Sequence, residues 1–194
     1  MASANDLPKV EPELLRRVRE REASVSIGAS TARGMAPDTV KVAREFLRYL
    51  DLERFVVKSE EGFLRRLDEA TDKCAGELPR RSSNDPANWG GARKFINIFL
   101  RGALYNRFLC DHYHLRIIER FLEVPLDKSV AIGLRRIAGA DSLPPWSTII
   151  RLKRSVSAKY QEFARRVAKR KGIARVHLDL WYYRHDQSEG FPNP

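Results

Sequence analysis

"GGARKFINIFLRGALYN", residues 90–106, opens with two glycines and then runs apolar at helical spacing. On a wheel of about 100° per residue, Phe95, Ile96, Phe99, Leu100, Ala103 and Leu104 share one arc, which a helix buries against a core. Lys94 falls on the other side, near Ile98, Arg101 and Tyr105. It reads either as a solvated charge in the first turn or as a residue the helix was built to aim. Gly90 and Gly91 let another backbone approach closely, and a glycine turn opening a helix offers free N–H groups that suit a phosphate. The polar face carries little charge, so Asn97, Ile98 and Tyr105 can line a cleft.

The pattern stays helical on both sides of this stretch. "PDTVKVAREFLRYL" (37–50) spaces Val40, Ala43, Leu47 and Leu50 for one face. "SEEGFLRRLDEATDKC" (59–74) does the same with Phe63, Leu64, Leu67, Ala70 and Cys74, behind Ser59 as N-cap. Turn formers crowd "LPRRSSNDPANWGG" (78–91), which reads as a loop. "DHYHLRIIERFLEVPL" (111–126) reads as a helix running into a turn at Pro125. Asp127 can cap a helix that buries Val130, Ala131 and Leu134, and "GADSLPP" (139–145) breaks the chain again. "SVSAKYQEFARRVAKRKG" (155–172) repeats Val156, Tyr160, Phe163 and Val167 and stops at Gly172, while "IARVHLDLWYYR" (173–184) fits a short helix or a strand. No alternating strand pattern recurs. The expectation is an all-α fold, a compact array of about six to eight short helices. Residues 1–36 read as a flexible arm or short helix plus linker, 37–184 as the compact domain, and 185–194 as a mobile tail.

Composition narrows the partners. Of 194 residues, 36 are Lys or Arg and 25 Asp or Glu, giving a net charge of +11. Such a balance attracts polyanions, nucleic acid before anionic membrane. Between Lys128 and Arg175 stand thirteen Lys or Arg against two acids, Asp141 and Glu162. This is a solvated basic face or a surface for phosphates, and Lys128, Arg135, Arg136, Lys153 and Arg154 are the candidate backbone contacts, with Gly90, Gly91 and Arg93 at the helix opening. Cys74 and Cys110 are too few for a disulfide framework and read as buried hydrophobes of a reducing compartment. No apolar signal core or membrane span is apparent, so an intracellular monomer, cytoplasmic or nucleoid-associated, is expected. His112, His114 and His177 form no metal constellation with the available acids, and neither metal nor cofactor is expected.

Two motifs carry a family resemblance. "GGARK" ends in Lys94, and "VPLDKSV" carries Asp127 thirty-three residues later. A glycine turn, a helix opening with lysine, then an apolar run with aspartate starting the next helix resembles the helix-hairpin-helix superfamily of DNA glycosylases, and the long gap looks like its archaeal 8-oxoguanine branch. The likeness is carried mainly by residues 89–136. It implies two lobes around a cleft, Lys94 and Asp127 as catalytic residues, and Asp179 and Tyr183 at a flipped base. Trp89, Trp146 and Trp181 are further candidates for the walls of a base pocket, or half-buried packing residues. The implied substrate is double-stranded DNA with an oxidised or missing base, most of all 8-oxoguanine, cleaved by a glycosylase with AP lyase activity.

Read from the residues alone, Asp127 is a good N-cap, a role compatible with catalysis because a capped carboxylate is held ionised and fixed. Two other functions stay open: a non-enzymatic basic helical module that binds nucleic acid, and a protein-interaction scaffold. Lys94 separates them, since only the enzyme needs this amine specifically.

Overall fold

The computed structural model describes residues 11–139 and 142–182. Over these residues the chain forms eight α-helices and four short 3₁₀ segments, with no strand. The helices are α1 (Pro12–Ser26), α2 (Thr39–Arg48), α3 (Glu60–Glu77), α4 (Trp89–Tyr105), α5 (Arg107–His112), α6 (Lys128–Ala138), α7 (Arg154–Arg170) and α8 (Leu178–Tyr182). The all-α expectation holds. No helix among the described residues is long and apolar enough to cross a membrane. The expectations for residues 1–10, 183–194, Asp141 and Tyr183 lie outside the described residues.

Local chemistry sets most boundaries. Ser59 accepts from the Gly62 N–H and opens α3, and Asn88 accepts from the Gly91 N–H and opens α4. Gly172, at φ +67°, ends α7 in the left-handed region that glycine adopts without strain. The stretch 111–126 departs from the expected single helix. His114 turns left-handed at φ 54°, so α5 stops and a 3₁₀ run, Leu115–Phe121, follows. Both cysteines are buried and free, and burial pushes the Cys74 thiol up to about 12. The "VHLDLWYYR" ambiguity resolves as helix: a 3₁₀ turn at Arg175–His177 leads into α8.

The compact domain begins before Pro37. Helix α1 packs on α4 and α2, and Ala23, Ile27, Ala32 and Met35 are all buried in the same core as α4. Residues 24–37 are therefore not a linker. Their small polar residues disguise three widely spaced apolar anchors, which no short periodicity detects.

The apolar residues fall into two clusters. The first gathers α1 to α5 and the 3₁₀ run around Phe63, Phe95, Ile96 and Phe99. The second gathers α6, α7 and α8 around Leu134, Tyr160 and Leu178. The chain passes between them at Leu122, Glu123 and Val124 and returns at Val176. Ile149, from the 3₁₀ turn Ile149–Arg151, packs against both. Helix α4 gives its apolar arc to the first cluster, which leaves its opposite face turned to elements of the second half.

Candidate active site

The face of α4 that the wheel left polar is a seam. Lys94, Ile98, Arg101 and Tyr105 follow one another at spacings of four and three, so they form one stripe. Arg101 forms an ion pair with Asp179. The Tyr105 hydroxyl meets His177 Nδ1 at 2.7 Å, and His177 Nε2 meets Glu119 Oε1 at 2.7 Å. Lys94 shares a depression with Leu126, and the charge of Asp127, at the start of α6, acts on its amine.

Lys94 is half-buried rather than solvated. Burial pushes its amine below the usual lysine range, and Asp127 partly offsets this. Its ammonium makes no hydrogen bond or ion pair with any described residue. Asp127 is the N-cap of α6: Oδ1 accepts from the Val130 N–H at 2.9 Å. This carboxylate accepts no other hydrogen bond from a described residue. The Asp127 charge thus acts on Lys94 although thirty-three positions separate the two in the chain.

Around Lys94 is a shallow depression of about 160 Å³, part of it open to solvent, with no enclosed space wide enough for a water molecule. Leu126, Ile149 and Leu152 wall it, and Asn97, Ser157 and Gln161 add polar groups. Gln161 is fixed, accepting from the Val124 N–H at 3.2 Å and donating to the Val124 carbonyl at 2.8 Å.

Arg93, next to Lys94, is not a phosphate contact. It is buried, and its guanidinium donates to both oxygens of Glu123 at 2.9 and 3.0 Å and to Asp68 at 2.7 Å. Burial alone would raise the Glu123 carboxyl, but the charge and hydrogen bonds of Arg93 overcome it and hold Glu123 below the usual carboxylate range. The glycines are also spoken for. A Cβ at Gly90 would collide with the Ile149 carbonyl oxygen and lie 2.7 Å from Leu152 Cβ, and one at Gly91 would lie 2.7 Å from the Asn88 side chain. They admit another part of the same chain rather than a phosphate, and the Gly91 N–H is already capped by Asn88.

The remaining expected contacts divide. Lys128, Arg136 and Lys153 are exposed and make no ion pair with a described residue. Arg135 is half-buried, with its charge acting on Tyr160. Arg154 is tied to Asp72 through two hydrogen bonds of 2.7 and 2.8 Å and pairs with Asp68 at 3.3 Å, so its charge is already matched.

The described base-pocket candidates do not converge on Lys94. Asp179 is engaged by Arg101, two helical turns or roughly 10 Å along α4 from Lys94. Trp146 packs edge-on against Tyr160 in the second cluster. Trp181 is exposed, with the Lys171 ammonium 4.4 Å above its ring. Trp89 lies against the guanidinium groups of Arg93 and Arg154 at 5.3 and 5.6 Å. None of the four lines the depression at Lys94. Ser157, Gln161 and Glu123 went unremarked in the sequence. Glu123 did carry a signal: a lone acid inside the run Phe121–Leu126 has to find a buried partner. No protein-family model matches this chain, and no curated protein or solved structure is similar to it.

Proposed function

We propose that the protein is a DNA glycosylase with lyase activity that excises a damaged base, with 8-oxoguanine as the foremost substrate. One observation carries the reading: the Lys94 amine is half-buried with no hydrogen bond or ion pair to a described residue, and the charge of the capping aspartate Asp127 acts on it. A lysine retained only for packing would gain from an ion pair or from replacement by an apolar residue. An amine so placed costs stability and fits a group kept for chemistry.

The reaction would proceed in named steps. The target nucleotide leaves the stack. The neutral Lys94 amine attacks C1′, the C1′–N bond to the lysine forms, and the glycosidic bond breaks with its electron pair on the departing base, which takes up a proton. Asp127 stabilises the positive charge that develops on the sugar and accepts a proton from the attacking amine. Ring opening protonates O4′ and leaves an imine between Lys94 and C1′.

Borohydride reduces that imine to a stable amine. A duplex containing 8-oxoguanine, an abasic site or uracil, mixed with the protein and borohydride, should yield a cross-linked band that Lys94→Gln abolishes. Asp127→Asn should retain most of the cap, losing about 1 kcal/mol or less of stability, while excision falls by orders of magnitude. The non-enzymatic module remains the second reading, favoured by the lack of base-sized space beside Lys94. Duplex binding without any Lys94-dependent cross-link would establish it instead.

A further inference from the structure

Asn97 is 2% exposed, and its Oδ1 is buried without a hydrogen-bond partner among the described residues. Orphaned buried acceptors are uncommon in folded proteins and each calls for a physical account. The orientation of this amide is not free. Its Nδ2 donates to Glu123 Oε2 at 3.1 Å. An ionised carboxylate cannot donate, so the nitrogen must face Glu123 and the oxygen must face elsewhere. Glu123 is in turn clamped by Arg93 through two hydrogen bonds. Three residues thus fix which end of Asn97 is left without a partner.

Few donors could satisfy it. Asn97 lines the same depression as Lys94, and no enclosed space there admits a water molecule. Four of the five Arg93 N–H groups are committed to Glu123, Asp68 and Thr71. Gln161 is held to Val124 at both ends of its amide, which leaves it one N–H. The Ser157 hydroxyl, on α7, is a further donor that lines the depression. Lys94 lies three residues before Asn97 on the same helix, one turn away, with a flexible stem and an amine that makes no hydrogen bond to a described residue.

We infer that Asn97 receives and orients the amine of Lys94, acting as a positioning residue for the nucleophile; this rests on the reading of Lys94 as a nucleophile. An amide carbonyl suits the task. It accepts a hydrogen bond from an ammonium and from a neutral amine alike, so it holds the nitrogen in place without fixing its charge. Taking one N–H of the neutral amine leaves the lone pair free to attack. A carboxylate in the same position would bind the ammonium and retain the proton.

The test begins with the unmodified protein, labelled with ¹³C at lysine and asparagine side chains and titrated by NMR in the absence of DNA. The Asn97 carbonyl carbon and the Lys94 Cε should shift with a common midpoint. Independent midpoints, or an Asn97 signal that does not move, would overturn the proposal. In Asn97→Leu, reductive methylation of Lys94 above that midpoint should slow on the order of tenfold relative to the other lysines. Asn97→Ser, whose hydroxyl can donate to Glu123 and accept from the amine, should recover most of the rate. Wild-type rates in Asn97→Leu would also overturn it, and if that variant does not fold the wild-type titration decides. A shared midpoint without borohydride cross-linking to DNA would keep the role of Asn97 and remove the glycosylase; cross-linking without a shared midpoint would do the reverse.

Discussion

Arg93 and Glu123 join the first and second halves of the chain through two hydrogen bonds of 2.9 and 3.0 Å, both side chains almost wholly shielded from water. Glu123 stands where the chain leaves the first apolar cluster for the second. A fork-to-fork pair has one good geometry, so it fixes how α4 meets the segment that leads to Asp127. The pair is not a large net source of stability, because desolvating two charges offsets most of their attraction.

Removing one partner is another matter. Arg93→Leu would leave the Glu123 carboxylate buried with one hydrogen bond, from Asn97, and the charge of Arg175 to stabilise it. We expect a loss of about 3–5 kcal/mol in urea unfolding. A loss below 1 kcal/mol would mean that water or another cation reaches Glu123 once the arginine is gone.

How much of this was legible in the sequence differs by element. The wheel of residues 90–106 identified the buried arc of α4 correctly, because Phe95, Ile96, Phe99 and Leu100 repeat at one period over seventeen residues. It placed Lys94 opposite that arc and could not see that a second cluster covers the opposite face. Periodicity reports that a face is apolar or polar, not what long-range packing lays on it. The same limit misassigned Arg93 and the two glycines. "GGARK" has the composition of an anion-binding helix start, but Ile149 lies fifty-nine residues further on and Glu123 thirty residues after Arg93, and neither is announced locally. Asp127 was legible because capping is a local interaction over three residues.

Lys94 should cost stability at neutral pH. Burial holds its folded-state value below the unfolded one, so between the two the unfolded chain binds more protons and stability rises with pH. The cost is therefore present below the folded value and is relieved as pH climbs toward about 10.4, the value of an unperturbed lysine. Lys94→Met should be more stable than the wild type by about 1 kcal/mol near pH 7, and the difference should shrink toward pH 10. Every other lysine is common to both proteins and cancels in the comparison. Denaturant unfolding across this range checks it. A constant difference would show that the gain comes from methionine packing rather than from the amine.

Gly90 should prove irreplaceable for a packing reason. An added methyl would meet the Ile149 carbonyl, which is backbone and has little freedom to yield. Gly90→Ala should lose about 1–3 kcal/mol through overpacking. Gly76, inside α3, offers the control, since a Cβ there meets nothing within 4 Å. Gly76→Ala should gain about 0.5–1 kcal/mol, as expected of a helix interior. If Gly90→Ala were equally benign in unfolding but impaired duplex binding, the glycine would be serving a ligand after all.

Duplex binding should depend on salt, and the structure sorts which cations set the slope. Each cation that contacts a phosphate releases counterions, so the logarithm of affinity falls with the logarithm of salt concentration by about 0.9 per contact. Lys128, Arg136 and Lys153 are exposed, with no ion pair to a described residue, and their charge is available to DNA. Arg154 is already matched by Asp68 and Asp72, and Arg165 by Glu60. Engaging either would require an intramolecular pair to break first. Lys128→Gln, Arg136→Gln and Lys153→Gln should each lower the slope by about 0.9, whereas Arg154→Gln and Arg165→Gln should leave it nearly unchanged. Fluorescence anisotropy with an undamaged duplex between low and physiological salt reads these slopes directly. Should Arg154→Gln flatten the slope as much as Lys153→Gln, the ion pairs with α3 open on binding, and the DNA-facing surface extends over α3. A flat dependence in the wild type would remove nucleic acid as a partner, and with it both the glycosylase and the binding-module readings.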